Sequence, residues 1–362
     1  MKIFITGGTG FIGSTLVRQL VQQGHQVTCL VRSSWKAEGL QAMGVEVAWG
    51  DITDRASMRE PMAGADLVFH LAAWYEVGLP PGAGPLMETI NVGGTENVLG
   101  LAVELGIPRI VYTSTIGVYG DTYGRVVDET YPRACPFLSH YDRTKFLAHQ
   151  VAQRYIEQGA PVIIVLPGSV YGPGDPSQLG RLIRMVLRRQ LPVLLGADST
   201  FTFVHVDDVA RGHWLAAERG RLGESYILAG DVMSLGDFVR LVARLGRVPP
   251  PPLILGSRPA IPLYLTARLI EQVLPLPPLF ASESLRSLTG VTLMVTSAKA
   301  ERELGYTHRP LEEGLAETVA WELAHQSGPP ITWPTRHQVA GGLILAAAGL
   351  LLTWLLSRRF RR

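Results

Sequence analysis

Cysteine is nearly absent. Cys29 and Cys135 are the only two in 362 residues. They are too few and too far apart for a disulfide framework or a multi-cysteine metal centre, no metal site is expected, and the pattern suits a reducing compartment. Charge is also sparse: Asp, Glu, Lys and Arg make up 18% of the chain, against about 25% in an ordinary soluble domain. The net charge is +2 and no basic run precedes the C-terminus, so nucleic acid is not expected as a partner. Repeats of solenoid period are missing. A charged leader followed by a long apolar core is missing as well; the chain opens "MKIFITGG", and no secretory signal is expected.

What is present is apolar and ordered by rhythm. Hydrophobic residues reach 47%, enough for a large core and for two domains, or one domain with a substantial lobe. Short runs rich in β-formers, "KIFIT", "QVTCLV", "VEVAW", "DLVFHLAA", "RIVYTST" and "VIIVLP", alternate with stretches of helical patterning such as "FIGSTLVRQLVQQG". Strands that are continuously apolar are buried on both faces, as in parallel sheets. The expected fold is α/β, a doubly wound parallel sheet of Rossmann type. Cys29 lies in such a run and reads as a small core residue.

The first strand runs into "TGGTGFIG", with Gly7, Gly10 and Gly13 at the strand-to-helix turn. A pyrophosphate must approach backbone N–H groups at a helix N-terminus, where the dipole favours negative charge, and a Cβ there would block it. A tight turn without a ligand is the alternative; the placement between first strand and helix favours a dinucleotide. An acid at the end of the second strand would select NAD, but "LVRSSWK" puts Val31 and Arg32 there. A guanidinium grips a 2′-phosphate, which favours NADP; if Arg32 stacks on adenine instead, NAD is accommodated. Asp51 and Ile52 of "GDITD" stand where an adenine edge would rest.

"YDRTKF" sets Tyr141 and Lys145 four residues apart, on one face if the stretch is helical. Such a pair also occurs on plain surface helices. As half of an active site it has a clear logic: a cation beside a phenol lowers its pKa and lets it trade a proton with a substrate oxygen.

Taken in order, "TGGTGFIG", "GDITD", "HLAA", "NVGGTENV", "YTST", "YDRTK", "LPGSVYGPGD" and "FVHVDDVA" resemble the extended short-chain dehydrogenase/reductases. That group includes NAD-dependent epimerase/dehydratases, dihydroflavonol-reductase-like enzymes and 3β-hydroxysteroid dehydrogenases. The resemblance covers about residues 1–325. It implies that Tyr141 is the general acid/base, that Lys145 lowers its pKa and holds the nicotinamide ribose, and that Thr115, after Ser114, orients the substrate carbonyl or alcohol. It places Gly7, Gly10, Phe11, Ile12, Gly13, Ala72, Asn91, Pro167 and Ser169 at the cofactor, with Gly168 between the last two. His205 and Asp207 are read as structural, tying a second lobe to the sheet. The sequence departs from sugar-nucleotide epimerases at Leu166 and Ser169, where they usually carry Arg and Asn. Its 248–280 stretch is proline-rich and offers few cations for a diphosphate, Arg258 and Arg268, with Arg184 outside it as a further candidate. That favours a low-polarity substrate. A sugar epimerase/dehydratase, and a non-catalytic dinucleotide sensor or assembly factor, remain as alternatives.

The expected organisation is a dinucleotide-binding domain over 1–175, with its sheet completed by parts of 195–230, and a smaller, mostly helical substrate lobe over 176–325. A linker over 326–337, a transmembrane helix over 338–357 and a basic tail over 358–362 would follow. The run "VAGGLILAAAGLLLTWLL" from Val339 to Leu356 has no charge; as a helix it spans about 27 Å, near the ~30 Å hydrocarbon core. A single-pass C-terminal anchor with the catalytic domain cytoplasmic is the reading, with membrane lipid as a partner and an apolar small molecule as substrate. It conflicts with the positive-inside rule, because "SRRFRR" would cross; a re-entrant hairpin or a shallow interfacial segment would resolve this. A homodimer is compatible with the sequence.

Overall fold

The computed structural model describes residues 1–79, 82–271, 276, 282–286 and 289–325. The expected linker, transmembrane helix and basic tail lie outside them. Among the described residues no helix is long and apolar enough to cross a membrane.

In chain order the elements are β1 (Lys2–Thr6), α1 (Phe11–Gln22), β2 (Gln26–Val31), α2 (Ser34–Gln41), β3 (Glu46–Trp49), α3 (Arg55–Met62), β4 (Leu67–His70), α4 (Gly84–Glu88), a π-helical turn (Thr89–Gly93), α5 (Gly94–Glu104) and β5 (Ile110–Thr113). A 3₁₀ turn (Ile116–Tyr119), α6 (His140–Glu157), β6 (Val162–Pro167), β7 (Ser169–Tyr171), α7 (Gln178–Leu187), β8 (Val193–Leu194), β9 (Thr200–His205), α8 (Val206–Arg219) and β10 (Ser225–Leu228) come next. The chain continues with β11 (Asp231–Ser234), α9 (Leu235–Leu245), β12 (Leu253–Ile254), α10 (Ala260–Ile270), α11 (Ser282–Arg286), β13 (Thr292–Leu293), α12 (Ala298–Leu304) and α13 (Leu311–Ala324).

Seven parallel strands form the main sheet in the order β10-β6-β5-β4-β1-β2-β3. The order reverses at β1, so β1 and β4 diverge into crossovers on opposite faces and leave a crevice at their carboxyl ends. Each face carries its own core. Leu16, Val17 and Leu20 of α1 pack with Ala210 and Ala216 of α8 and with Ala300 and Leu304 of α12. Met58 of α3, Val98 and Leu99 of α5 and Ala148 and Val151 of α6 pack on the other face.

The expected boundary at 175 is crossed repeatedly. The "SYILAG" strand, β10, does complete the main sheet beside β6, but Thr200–His205 does not: β9 pairs with β7, β11 and β13 in a second sheet. The switch falls at Gly168, where a Cβ would lie 2.7 Å from the Thr202 carbonyl oxygen. Beside α1 the apolar face of the main sheet is covered by α8 and α12, so the chain returns to it after the second sheet has begun. The lobe is not purely helical either: α7, α9 and α13 bury Ile183, Phe238 and Leu315 around Tyr171 and Phe203 of its sheet, with Phe203 stacked on Phe238 at 4.4 Å. Ser234 caps α9, its Oγ accepting from the Asp237 amide at 3.1 Å.

Candidate active site

The β1–α1 turn closes with Gly10 N–H donating to Gly7 O at 2.9 Å. Gly7 has φ +80°, and a Cβ there would sit 2.6 Å from Ala72 N; one on Gly13 would sit 2.1 Å from Gly7 O. Only glycine fits, and the first-turn amides of Phe11, Ile12 and Gly13 follow an N-cap with no side chain to satisfy them. Those orphan donors at the positive end of a helix form an anion cradle, so the residues present fit a dinucleotide pyrophosphate.

Beneath the turn runs a buried relay. Thr6 Oγ1 meets His70 Nδ1 at 2.7 Å, His70 Nε2 meets Thr95 Oγ1 at 3.1 Å, and Thr95 donates onward to Asn91 O at 2.7 Å. Because Thr95 spends its only proton on Asn91, His70 carries its hydrogen on Nε2 and accepts at Nδ1. Burial pushes its pKa down to about 3 and nearby Lys145 adds to this, so it stays neutral.

The three hydroxyls after β5 point to three different places. Thr113 Oγ1 bonds His213 on α8 at 2.9 Å, and Ser114 Oγ bonds His149 on α6 at 2.9 Å. Thr115 Oγ1 accepts from the Gly117 amide at 3.1 Å, capping the 3₁₀ turn. An accepting hydroxyl keeps its proton to donate, so Thr115 is the member of the three with chemistry to offer.

Helix α6 begins at Ser139, whose Oγ accepts from the Asp142 amide at 3.0 Å. Tyr141 is in its first turn, and Lys145 one turn on is buried, donating from Nζ to the Thr113 carbonyl at 2.8 Å. Lys145 is therefore fixed at the carboxyl end of β5. The expected lowering of the Tyr141 pKa by Lys145 is not what this arrangement produces. Burial pushes the phenol well above its ordinary value, and Tyr75, Tyr112 and Asp142 add to the rise. Burial likewise pushes Lys145 down to about 7. The Tyr75 ring stands edge-on to Tyr141 at 4.8 Å between centroids.

Asn91 was expected at the cofactor. Its amide is spent inside the protein: Oδ1 accepts from Trp74 N at 2.7 Å, and Nδ2 donates to Trp74 O at 3.1 Å and Thr144 Oγ1 at 2.9 Å. It ties the segment after β4 to α6. Arg32 is exposed and paired with Asp51 at 3.3 Å, so the two expected adenosine contacts engage each other; Ile52 is buried beneath. Burial raises the Asp51 carboxyl, but the Thr53 amide and hydroxyl and Arg32 more than offset this and hold it below the usual range. An exposed pair of this kind is worth at most about 1 kcal/mol, so Arg32 is readily released to a phosphate. Pro167 ends the main sheet and Ser169 opens the second, so they flank the switch at Gly168.

Gly10 and Phe11 open onto a cavity of about 470 Å³ walled by Pro173, Gly174, Pro176 and Trp321; Tyr141 and Lys145 do not line it. His205 caps α8 through its Nδ1, and His205, Asp207 and Glu317 converge within 4.8 Å. Arg309 already places its guanidinium on Glu317 at 2.8 Å and on Asp207 at 3.7 Å, which makes the group an ion-paired tie between α8 and α13. Sequence reasoning missed His70, His149 and His213. Their signal is a polar side chain inside apolar periodicity.

The profile of the NAD dependent epimerase/dehydratase family matches residues 3–229. A "Putative dihydroflavonol 4-reductase" from Synechocystis sp. is 34% identical over 338 residues, 89% of this chain and 94% of that protein. A "4-hydroxy-2-methyl-3-oxo-4-farnesyl-3,4-dihydroquinoline-1-oxide ketoreductase" from Stigmatella aurantiaca is 32% identical, covering 91% of this chain and 97% of its own. The crystal structure of gox2253 superposes with a TM-score of 0.79 at 32% identity, over 89% of this chain and 98% of that one. With a glycine turn that leaves room only for a closely approaching ligand, and likeness along nine-tenths of its length, the chain belongs to the NAD dependent epimerase/dehydratase family of extended short-chain dehydrogenase/reductases and is an NAD(P)-dependent oxidoreductase of hydroxyl and carbonyl groups.

Proposed function

We propose that the chain interconverts a ketone and an alcohol on a low-polarity, lipid-like substrate, with NADP preferred over NAD. The single observation that carries this reading is Lys145. It lies one turn from Tyr141 and is held at 2.8 Å by the carbonyl of Thr113 at the carboxyl end of the sheet, two residues before the proton-bearing Thr115. The nicotinamide supplies the hydride when bound. Gly7, Gly10 and the Phe11–Gly13 amides would hold the pyrophosphate, Ala72, Pro167 and Ser169 would border the nicotinamide half, and Arg32, leaving Asp51, would take a 2′-phosphate.

Tyr141 gives its phenolic proton to the carbonyl oxygen as alkoxide character builds, or takes it back in the reverse direction, and Thr115 donates a second hydrogen bond to the same oxygen. Burial keeps Tyr141 protonated, and transfer of its proton becomes favourable only as alkoxide charge builds on the substrate oxygen. Residues 1–175 would carry the dinucleotide and 176–325 the substrate, with 338–357 as a membrane anchor. The farnesyl-bearing ketone in one relative's name supports the lipid-like substrate, as does the apolar 248–280 stretch.

The test is NADPH consumption with long-chain ketones. One equivalent per alcohol formed is expected, whereas an epimerase recycles its cofactor and shows no net absorbance change. Tyr141→Phe should lower kcat by ~10²–10⁴-fold while dinucleotide binding is retained. A Tyr141→Phe enzyme at full rate would refute the assignment.

A further inference from the structure

Helix α10 is mostly apolar, with aliphatic side chains on its outer as well as its inner side. Its inner side packs Leu263, Ala267 and Ile270 with Leu285 of α11. Its outer side carries Ile261, Leu265 and Leu269, spaced i, i+4, i+8 along one face and 42%, 42% and 59% exposed. Three large aliphatics in one exposed row are not the scattered apolar residues of a normal surface. Exposed arginines accompany the row: Arg258 just before the helix and Arg268 within it. Arg268, Arg143 and Arg286 also line a cavity of about 500 Å³ between α10, α11 and the start of α6.

The rest of the chain says what covers such a face. The uncharged run from Val339 to Leu356 ends in "SRRFRR". Only 14 residues lie between Ala324, the end of α13, and Val339, a reach of about 50 Å when fully extended. A body tethered so closely to a bilayer meets its surface at high effective concentration. An aliphatic row flanked by guanidinium groups is the composition that lies in an anionic lipid interface.

We propose that the outer face of α10 docks on the surface of an anionic lipid bilayer, and that the arginine-lined cavity beneath it opens at that interface. The proposal deepens the reading above: it rests on the membrane anchor for the docking and on the lipid-like substrate for the role of the cavity.

The full chain carrying Leu265→Cys, labelled there with an environment-sensitive fluorophore, is reconstituted in vesicles of phosphatidylcholine and phosphatidylglycerol. The unmutated chain taken through the same labelling serves as blank. Emission should shift to the blue and be quenched by lipids brominated high on the acyl chain, as expected for a face sunk ~5–10 Å into the interface. Emission unchanged from detergent solution, or a blue shift that needs no lipid and grows with protein concentration, overturns the proposal; the latter assigns the face to a second copy of the chain. This readout does not depend on turnover, so it separates failure of docking from failure of the proposed chemistry. In the second arm, Ile261→Gln with Leu265→Gln and Leu269→Gln, all at exposed positions, should lower the rate on a bilayer-embedded ketone about tenfold. The rate on a short, water-soluble ketone should hold. Equal rates on the embedded ketone overturn it.

Discussion

In the proposed reaction, Lys145 is the residue on which the proton chemistry would turn. Folding has moved its pKa from the usual lysine range to about 7 by removing it from water. The sign follows: the group is an ammonium below about pH 7 and becomes an amine as pH rises through it. The charged form attracts a dinucleotide and the neutral form does not, so affinity for NADH should weaken between pH 7 and 9. If binding holds the ammonium by only one pKa unit, the change is about tenfold. The neighbours do not blur this window. His70 and His149 are pushed down to about 3 and about 4 by burial and by Lys145 itself, and burial drives Tyr112 and Tyr141 upward. Binding measured by protein fluorescence across that range should show the slope, and Lys145→Met should flatten it. A wild-type affinity independent of pH there would mean that the ammonium plays no part. At this scale the sequence was legible where chemistry is local. Gly7, Gly10 and Gly13 declare a turn within seven residues, and Tyr141 and Lys145 one helical face. The partners of Thr113 and Ser114 were not, since His213 and His149 lie 100 and 35 residues away and only folding brings them together.

At the scale of elements, the relation between Thr115 and Tyr141 depends on a buried arginine that belongs to no motif. Arg133 donates to Gly117 O and Val118 O at 3.0 and 3.2 Å, to Cys135 O at 3.1 Å and to Pro136 O at 3.2 Å, and it pairs with both oxygens of Asp142. Its guanidinium also lies 4.3 Å from the centre of the Phe137 ring. One side chain thus joins the 3₁₀ turn capped by Thr115 to the first turn of the Tyr141 helix. Lysine cannot reproduce this planar fork. Arg133→Met strands the Asp142 carboxylate in the interior and should cost about 3–5 kcal/mol, read as a lower midpoint in denaturant with an unchanged slope. Adding Asp142→Leu should recover part of the loss, because the stranded charge disappears. If Arg133→Met alone is neutral, the pair contributes nothing to the fold. The strands and helices of the first half were readable because parallel strands are apolar throughout and their helices amphipathic. The second half was less so: β7, β8, β12 and β13 have two or three residues each, too few for any period to register, and exist only by pairing with distant segments.

For the whole molecule, the question is how the proposed substrate lobe would report to Tyr141, the proposed proton donor. Glu283 on α11 accepts from the His140 amide at 2.8 Å through one oxygen and from the Gly78 amide at 3.2 Å through the other. His140 is the first residue of α6 and immediately precedes Tyr141, so its N–H is one of the donors a helix start leaves without an internal partner. A carboxylate there also answers the helix dipole. The same side chain therefore holds the N-terminus of the acid/base helix and the segment that follows Tyr75, the ring that packs on Tyr141. Being 143 residues from His140 in sequence, it was invisible to any motif. Glu283→Ala should cost about 1 kcal/mol of stability, as loss of an N-terminal cap does. It should also lower kcat on a short ketone about tenfold, since Tyr141 is held less firmly toward the substrate oxygen. NADH affinity should not change, because the glycine cradle is untouched. Glu283→Gln keeps one good acceptor and should restore most of the rate. A merely structural residue would lose stability with kcat intact in both variants, and that outcome would uncouple the lobe from the proton transfer.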